Sequence, residues 1–149
     1  MTLDDLLREG KLQRHRSSAD EIANLLAAAE RDIADAAVKG LSLDRRFTIA
    51  YSAALALASA VVAATGYRSS GVGHHSTVLQ ALPLVMGADL QARADYLDTC
   101  RRKRNLLSYE CVGIATEADV EELQNVTWQL RAQVHEWLHH NHPELAGRE

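Results

Sequence analysis

The chain has 149 residues, 47% of them hydrophobic, and a formal net charge of −4. That length accommodates one domain with a sizeable core, and the composition is that of a folded globular protein rather than a disordered one. The acidic balance excludes a protein that coats nucleic acid non-specifically, while leaving room for a local basic site.

Met1-Thr-Leu-Asp-Asp carries acids and no cationic stretch ahead of an apolar run, so no secretory signal is read there. The apolar run from Ile49 to Thr65 is interrupted by Ser52 and Ser59 and dominated by alanine, which reads as too short and too mild for a membrane span. A cytoplasmic protein without membrane association is expected. Cys100 and Cys111 have no CxxC spacing and no further cysteine partners, so reduced thiols are expected rather than a metal site or a disulfide framework.

In chain order, Thr2 to Glu9 reads as a short helix ended by Gly10, and Lys11 to Ser17, with Arg14, His15 and Arg16, as a solvated connection. Ser18 and Glu21 form a capping-box pattern for a helix carrying Ile22, Leu25, Leu26, Ala29, Ile33 and Ala37 on one face up to Gly40. Ser42 or Asp44 caps a second helix whose apolar residues, from Phe47 through Val62, wrap most of its circumference, so it is predicted to be the buried centre of a bundle or part of a dimer interface. Gly66 to His75, with three glycines, reads as a connection ahead of a short helix from Ser76 to Met86 shaped near its end by Pro83. This loop lacks the Walker pattern of a phosphate cradle.

Asp89 is predicted to cap the next helix, and Thr116 with Asp119 to open the last one, whose core face is Val120, Leu123, Thr127, Leu130, Val134 and Trp137. Pro143 ends it. No alternating strand-like run is apparent, so the predicted fold is all-α, an antiparallel bundle of about five helices. The predicted organisation is an N-terminal helix and connection over 1–17, a helical domain over 18–142 and a tail over 143–149.

The stretch Arg101-Arg102-Lys103-Arg104-Asn105-Leu106-Leu107-Ser108-Tyr109 is where charge enters a helix seam. On a helix, Leu90, Ala94, Leu97, Arg101, Arg104 and Ser108 share one stripe, with Arg102, Lys103 and Leu106 on the other side. A guanidinium facing a seam needs acceptors, which leaves a structural ion pair, an anion site, or a subunit contact.

His135-Glu136-Trp137-Leu138-His139 satisfies HExxH, the zinc-hydrolase pattern. A third ligand is lacking, since His142 lies in a stretch stopped by Pro143. The histidines read instead as polar flanks near a helix C-terminus, where positive charge is favourable. No metal and no cofactor are expected.

From about Ser18 to His142 the order of elements resembles the HEPN superfamily, small helical domains that usually dimerise and act as RNA nucleases, nucleotide-binding modules or partners of nucleotidyltransferases. Arg104-Asn105 matches the start of the family signature, Tyr109 stands where its histidine would be, and Gly73-His74-His75 resembles its histidine-bearing entry to a short helix. The resemblance implies a homodimer whose cleft, lined by Arg101, Arg104, Asn105, Ser108, His74 and His75, binds a nucleotide or RNA phosphate. The alternatives are a metal-independent ribonuclease or toxin using Arg104 with Tyr109 or His74, and a non-catalytic adaptor paired with a nucleotidyltransferase or an antitoxin. A tyrosine with a reference pKa near 10 is a poor base at neutral pH, which favours binding over catalysis.

Overall fold

The computed structural model describes residues 1–70, 73–109 and 112–146; the side chain of Tyr109 and all of Cys111 lie outside the described residues. Six α-helices, one 3-10 turn and a two-stranded sheet follow in the order α1 (Leu3–Arg8), β1 (Leu12–Arg14), α2 (Ala19–Ala36), α3 (Leu43–Ala64), β2 (Tyr67–Ser69), α4 (His74–Met86), the turn Ala88–Leu90, α5 (Gln91–Tyr109) and α6 (Glu117–Asn141). The all-helical prediction holds for the architecture, with six α-helices among the described residues where about five were expected.

Helix α3 is the axis. Phe47, Tyr51, Leu57, Val61 and a series of alanines are buried along it, a stripe through Ser52, Leu55 and Ser59 stays half-buried, and α2, α4, α5 and α6 pack against it. Small alanine side chains let neighbouring backbones approach, and each large residue locked there matters: truncating a buried leucine such as Leu57 to alanine costs about 2–5 kcal/mol. By length and composition α3 is apolar enough to cross a membrane, which corrects the reading of that run as too short. Its most apolar window is 67% buried inside the protein.

The ends of the helices show where local signals were sufficient. Thr2 and Asp5 close a full capping box on α1, as do Thr116 and Asp119 on α6. On α2 only half the predicted box forms: Ser18 accepts from the Glu21 N–H, but the Glu21 carboxylate turns to His15 Nε2, at 2.6 and 2.8 Å. Helix α2 stops at Ala36, ahead of Gly40, because Arg46 Nε from α3 and Gln124 Nε2 from α6 both donate to the Ala36 carbonyl at 2.8 Å. Those caps are tertiary.

Ser42, not Asp44, caps α3. The Asp44 carboxylate instead accepts from Gly113 N (2.6 Å) and Ala115 N (3.1 Å), fastening the segment that leads into α6. Asp89 lies within the 3-10 turn rather than capping α5. On α6, Leu138 takes the fully buried place and Trp137 is half-buried, packed against His142 with ring centroids 5.0 Å apart.

The two strands correct the expectation of no β structure. β1 and β2 pair antiparallel, Leu12 with Ser69, Gln13 with Arg68 and Arg14 with Tyr67. Three-residue strands are too short to show alternation, and their partners lie far apart in sequence. Leu6 and Leu12 are buried in the same core as α3, so α1 and β1 are anchored to the helical body.

Candidate functional site

Helix α4 begins at His74, two residues earlier than its sequence suggests, with Gly73 as N-cap at φ +82°, a left-handed conformation suited to glycine. The early start puts His74 and His75 in the first helical turn. Their rings meet edge to face, 4.4 Å between centroids. From α3, Tyr51 reaches the same place, its ring centroid 6.1 Å from that of His75.

Helix α5 supplies the charge. Its buried stripe continues from Leu97 to Cys100 and Leu107, which leaves Arg101 and Arg104 half-buried at the margin, Ser108 exposed and Leu106 exposed. The charges of Arg101 and Arg104 bear on both Tyr51 and His75. Burial pushes the Tyr51 hydroxyl up to about 12, against the pull of the two arginines. Burial also lowers the His75 pKa, helped by His74, Arg104 and Arg101, so the imidazole is held neutral.

Partners separate the four basic residues. Arg101 Nε donates to Asp98 Oδ1 at 2.8 Å and Arg102 to Asp98 Oδ2 at 3.0 Å, so one carboxylate on the same helix serves both. Lys103, read as solvated, is half-buried, with Nζ 2.5 Å from Asp119 Oδ2 on α6 and 5.7 Å from the centre of the Phe47 ring. Arg104 has no carboxylate partner among the described residues. Its Nη1 donates weakly to Asn105 Oδ1 at 3.3 Å, and its Nε is buried without a hydrogen bond.

The Tyr51 hydroxyl is likewise buried and without a hydrogen-bond partner. Two orphaned polar groups from two helices therefore share one electropositive corner with a neutral imidazole. Polar groups left unpaired inside a protein cost about 1–3 kcal/mol each, so their presence asks for a reason. Tyr51 carries one signal in the sequence: it is the single hydroxylated aromatic in an alanine-rich buried helix, and a buried tyrosine hydroxyl ordinarily finds a partner.

Neither family models, curated proteins nor solved structures yield a match to this chain.

Beside the corner, a hollow of about 330 Å³ opens between α4 and α5, with Ser76, Gln80, Gln91, Asp95 and Asp98 among its lining residues. Its polar walls suit a ligand with hydroxyl and amino groups. The corner thus sets His75, with His74 against it, beside Tyr51, under the charges of Arg101 and Arg104; Asn105 is tied to Arg104, and Ser108 stays at the surface. The HExxH histidines do something else: His139 Nδ1 meets the backbone carbonyl of His135 at 2.9 Å, and among the described residues no three His, Cys, Asp or Glu side chains are grouped to hold a metal ion.

Proposed function

We propose that this protein binds a phosphate-bearing ligand, a nucleotide or an RNA strand, at the corner of α3, α4 and α5, as a HEPN-like cytoplasmic homodimer. The observation that carries this reading is Arg104, a half-buried guanidinium without a carboxylate partner among the described residues, whose charge bears on the unpaired Tyr51 hydroxyl. A planar guanidinium matches phosphate oxygens two at a time, and charge-assisted hydrogen bonds of that kind contribute about 1.5–3 kcal/mol each. Arg101 and Arg102 share the single carboxylate of Asp98, so the corner stays electropositive even with those pairs made. The adjacent polar hollow supports a ligand larger than phosphate alone.

The test is titration of AMP and of a short single-stranded RNA into wild-type protein and the Arg104→Ala and Arg101→Ala variants. Arg104→Ala is expected to weaken binding by about tenfold or more, and Arg101→Ala by less, since Arg101 already has a partner. Unchanged affinity in a folded Arg104→Ala protein sinks the assignment.

A second reading, a metal-independent ribonuclease, is favoured by one observation: an imidazole kept neutral next to two arginines suits a general base beside a charge-stabilising group. On that reading His75, rather than His74 or Tyr109, moves the proton. RNA cleavage in EDTA that His75→Asn abolishes, with RNA affinity retained, distinguishes the enzyme from the binder.

A further inference from the structure

Residues of α2, α3 and α6 together line a hollow of about 230 Å³. Ile33 and Ala37 come from the end of α2, Ala50 from α3, and Gln124, Thr127 and Trp128 from α6; none of the described lining residues carries an ionisable group. Alanine at 36, 37 and 50 leaves the space. A cavity of about 150 Å³ with an aliphatic and aromatic lining accepts benzene, so this one has room for two fused rings.

The wall carries two acceptors. Gln124 spends Nε2 on the Ala36 carbonyl at 2.8 Å, which fixes the amide and leaves Oε1 to accept. Thr127 is 1% exposed, and its Oγ1 has no hydrogen-bond partner among the described residues. Hydroxyls elsewhere in the helices bond to their own helix: Thr48, Ser52, Thr77 and Thr99 each donate to the carbonyl four residues earlier. Thr127 does not take that bond. A helical threonine has two rotamers open to it, so its hydroxyl can serve a group other than the helix carbonyl without backbone movement. Valine has the same shape without the buried oxygen, so the hydroxyl adds nothing to the core by itself.

Trp128 adds an aromatic face. It is 57% exposed, and Arg131 lies 5.1 Å from the centre of its ring while pairing with Glu30 of α2. The indole is thus held beside the hollow by an ion pair that joins the two helices. A second ring gains there from offset or edge-to-face contact.

We propose that this hollow binds a small, uncharged, flat aromatic molecule that carries one N–H or O–H donor. Its rings lie among Ile33, Ala37, Ala50 and Trp128, and its donor goes to Thr127 Oγ1, with Gln124 Oε1 as the second acceptor. A wall without charge selects a neutral ligand, so this site and the phosphate corner take different molecules.

The experiment is an amide NMR titration of the full chain with indole as the probe and indene, the same shape without the N–H, as its control. Indole is expected to bind saturably with a Kd below about 1 mM, shifting the amides of Ala37 and Trp128, and indene to bind about fivefold more weakly. Thr127→Val brings indole down to the affinity of indene, and Thr127→Ser keeps the preference. Ala37→Leu, at an exposed position, fills the hollow and weakens both probes by about tenfold. Arg104→Ala leaves indole binding as in wild type, so failure of the corner and failure of this site are separate results. No saturation by about 10 mM indole, equal binding of the two probes, a Thr127→Val protein that still prefers indole, or an Ala37→Leu protein with wild-type affinity overturns the site.

Discussion

The ring of His75, in the first turn of α4, stands 6.1 Å from that of Tyr51 on the central helix, and each is exposed to the charge of Arg101 and Arg104 from α5. Three helices meet at this pair. The consequence is an imidazole whose charged form is opposed from several directions at once.

That opposition links stability to pH. With the folded pKa of His75 lowered from 6.5, the unfolded chain binds the proton more readily than the folded one. The contribution of His75 to stability is therefore fully present above about pH 6.5 and is lost as pH falls through the folded pKa. Thermal melts of wild type and His75→Asn across that window are expected to diverge, wild type losing more stability on acidification; parallel curves refute the linkage. On the phosphate-binding reading, a phosphate at the corner favours the imidazolium, so affinity for AMP is expected to rise as pH falls through the same range.

Tyr51→Phe removes a hydroxyl that makes no hydrogen bond while keeping the ring that fills the core. Urea unfolding is expected to show unchanged stability or a gain of up to about 1 kcal/mol, because an unpaired buried polar group is relieved. A loss above about 2 kcal/mol means that the hydroxyl has a partner in solution. Reduced AMP affinity in the same variant assigns the hydroxyl to the ligand.

Asp44 ties the start of α3 to the segment before α6 through two backbone donors. Replacing it with alanine leaves both N–H groups without their charged acceptor and is expected to cost about 1.5–3 kcal/mol. Hydrogen exchange locates the effect, with the Ala115 amide losing protection ahead of amides in the centre of α3. Equal exchange at Ala115 in both proteins contradicts the clamp.

Cys100 is buried, and burial pushes its thiol up to about 11. At pH 8 it is protonated and shielded, so in a Cys111→Ser background it is expected to react with a disulfide reagent only after unfolding in urea. Rapid labelling of the native protein at pH 8 shows that this part of α5 opens.

The capping boxes of α1 and α6 and the glycine before α4 follow from residues within one turn of each other, and they were legible for that reason. Arg104 stood out because a charge continued an apolar stripe. The ribbon was not legible, since strands of three residues leave no period and the whole of α2 and α3 lies between Leu12 and Ser69 in sequence. Lys103 was placed on the solvent side because its partner, Asp119, belongs to the next helix.

By itself, the sequence determined an all-helical protein wound around its alanine-rich second long helix, because helical periodicity and end signals are local. It also marked the basic segment of α5 as the place to look. Which arginine lacks a partner was decided only by tertiary structure. Asp98 takes Arg101 and Arg102, Asp119 takes Lys103, and Arg104 is left without a carboxylate among the described residues, its charge bearing on Tyr51 and His75. Neutralisation depends on which side chains the packed helices bring within a few ångströms, and residue spacing along one helix does not contain that distance.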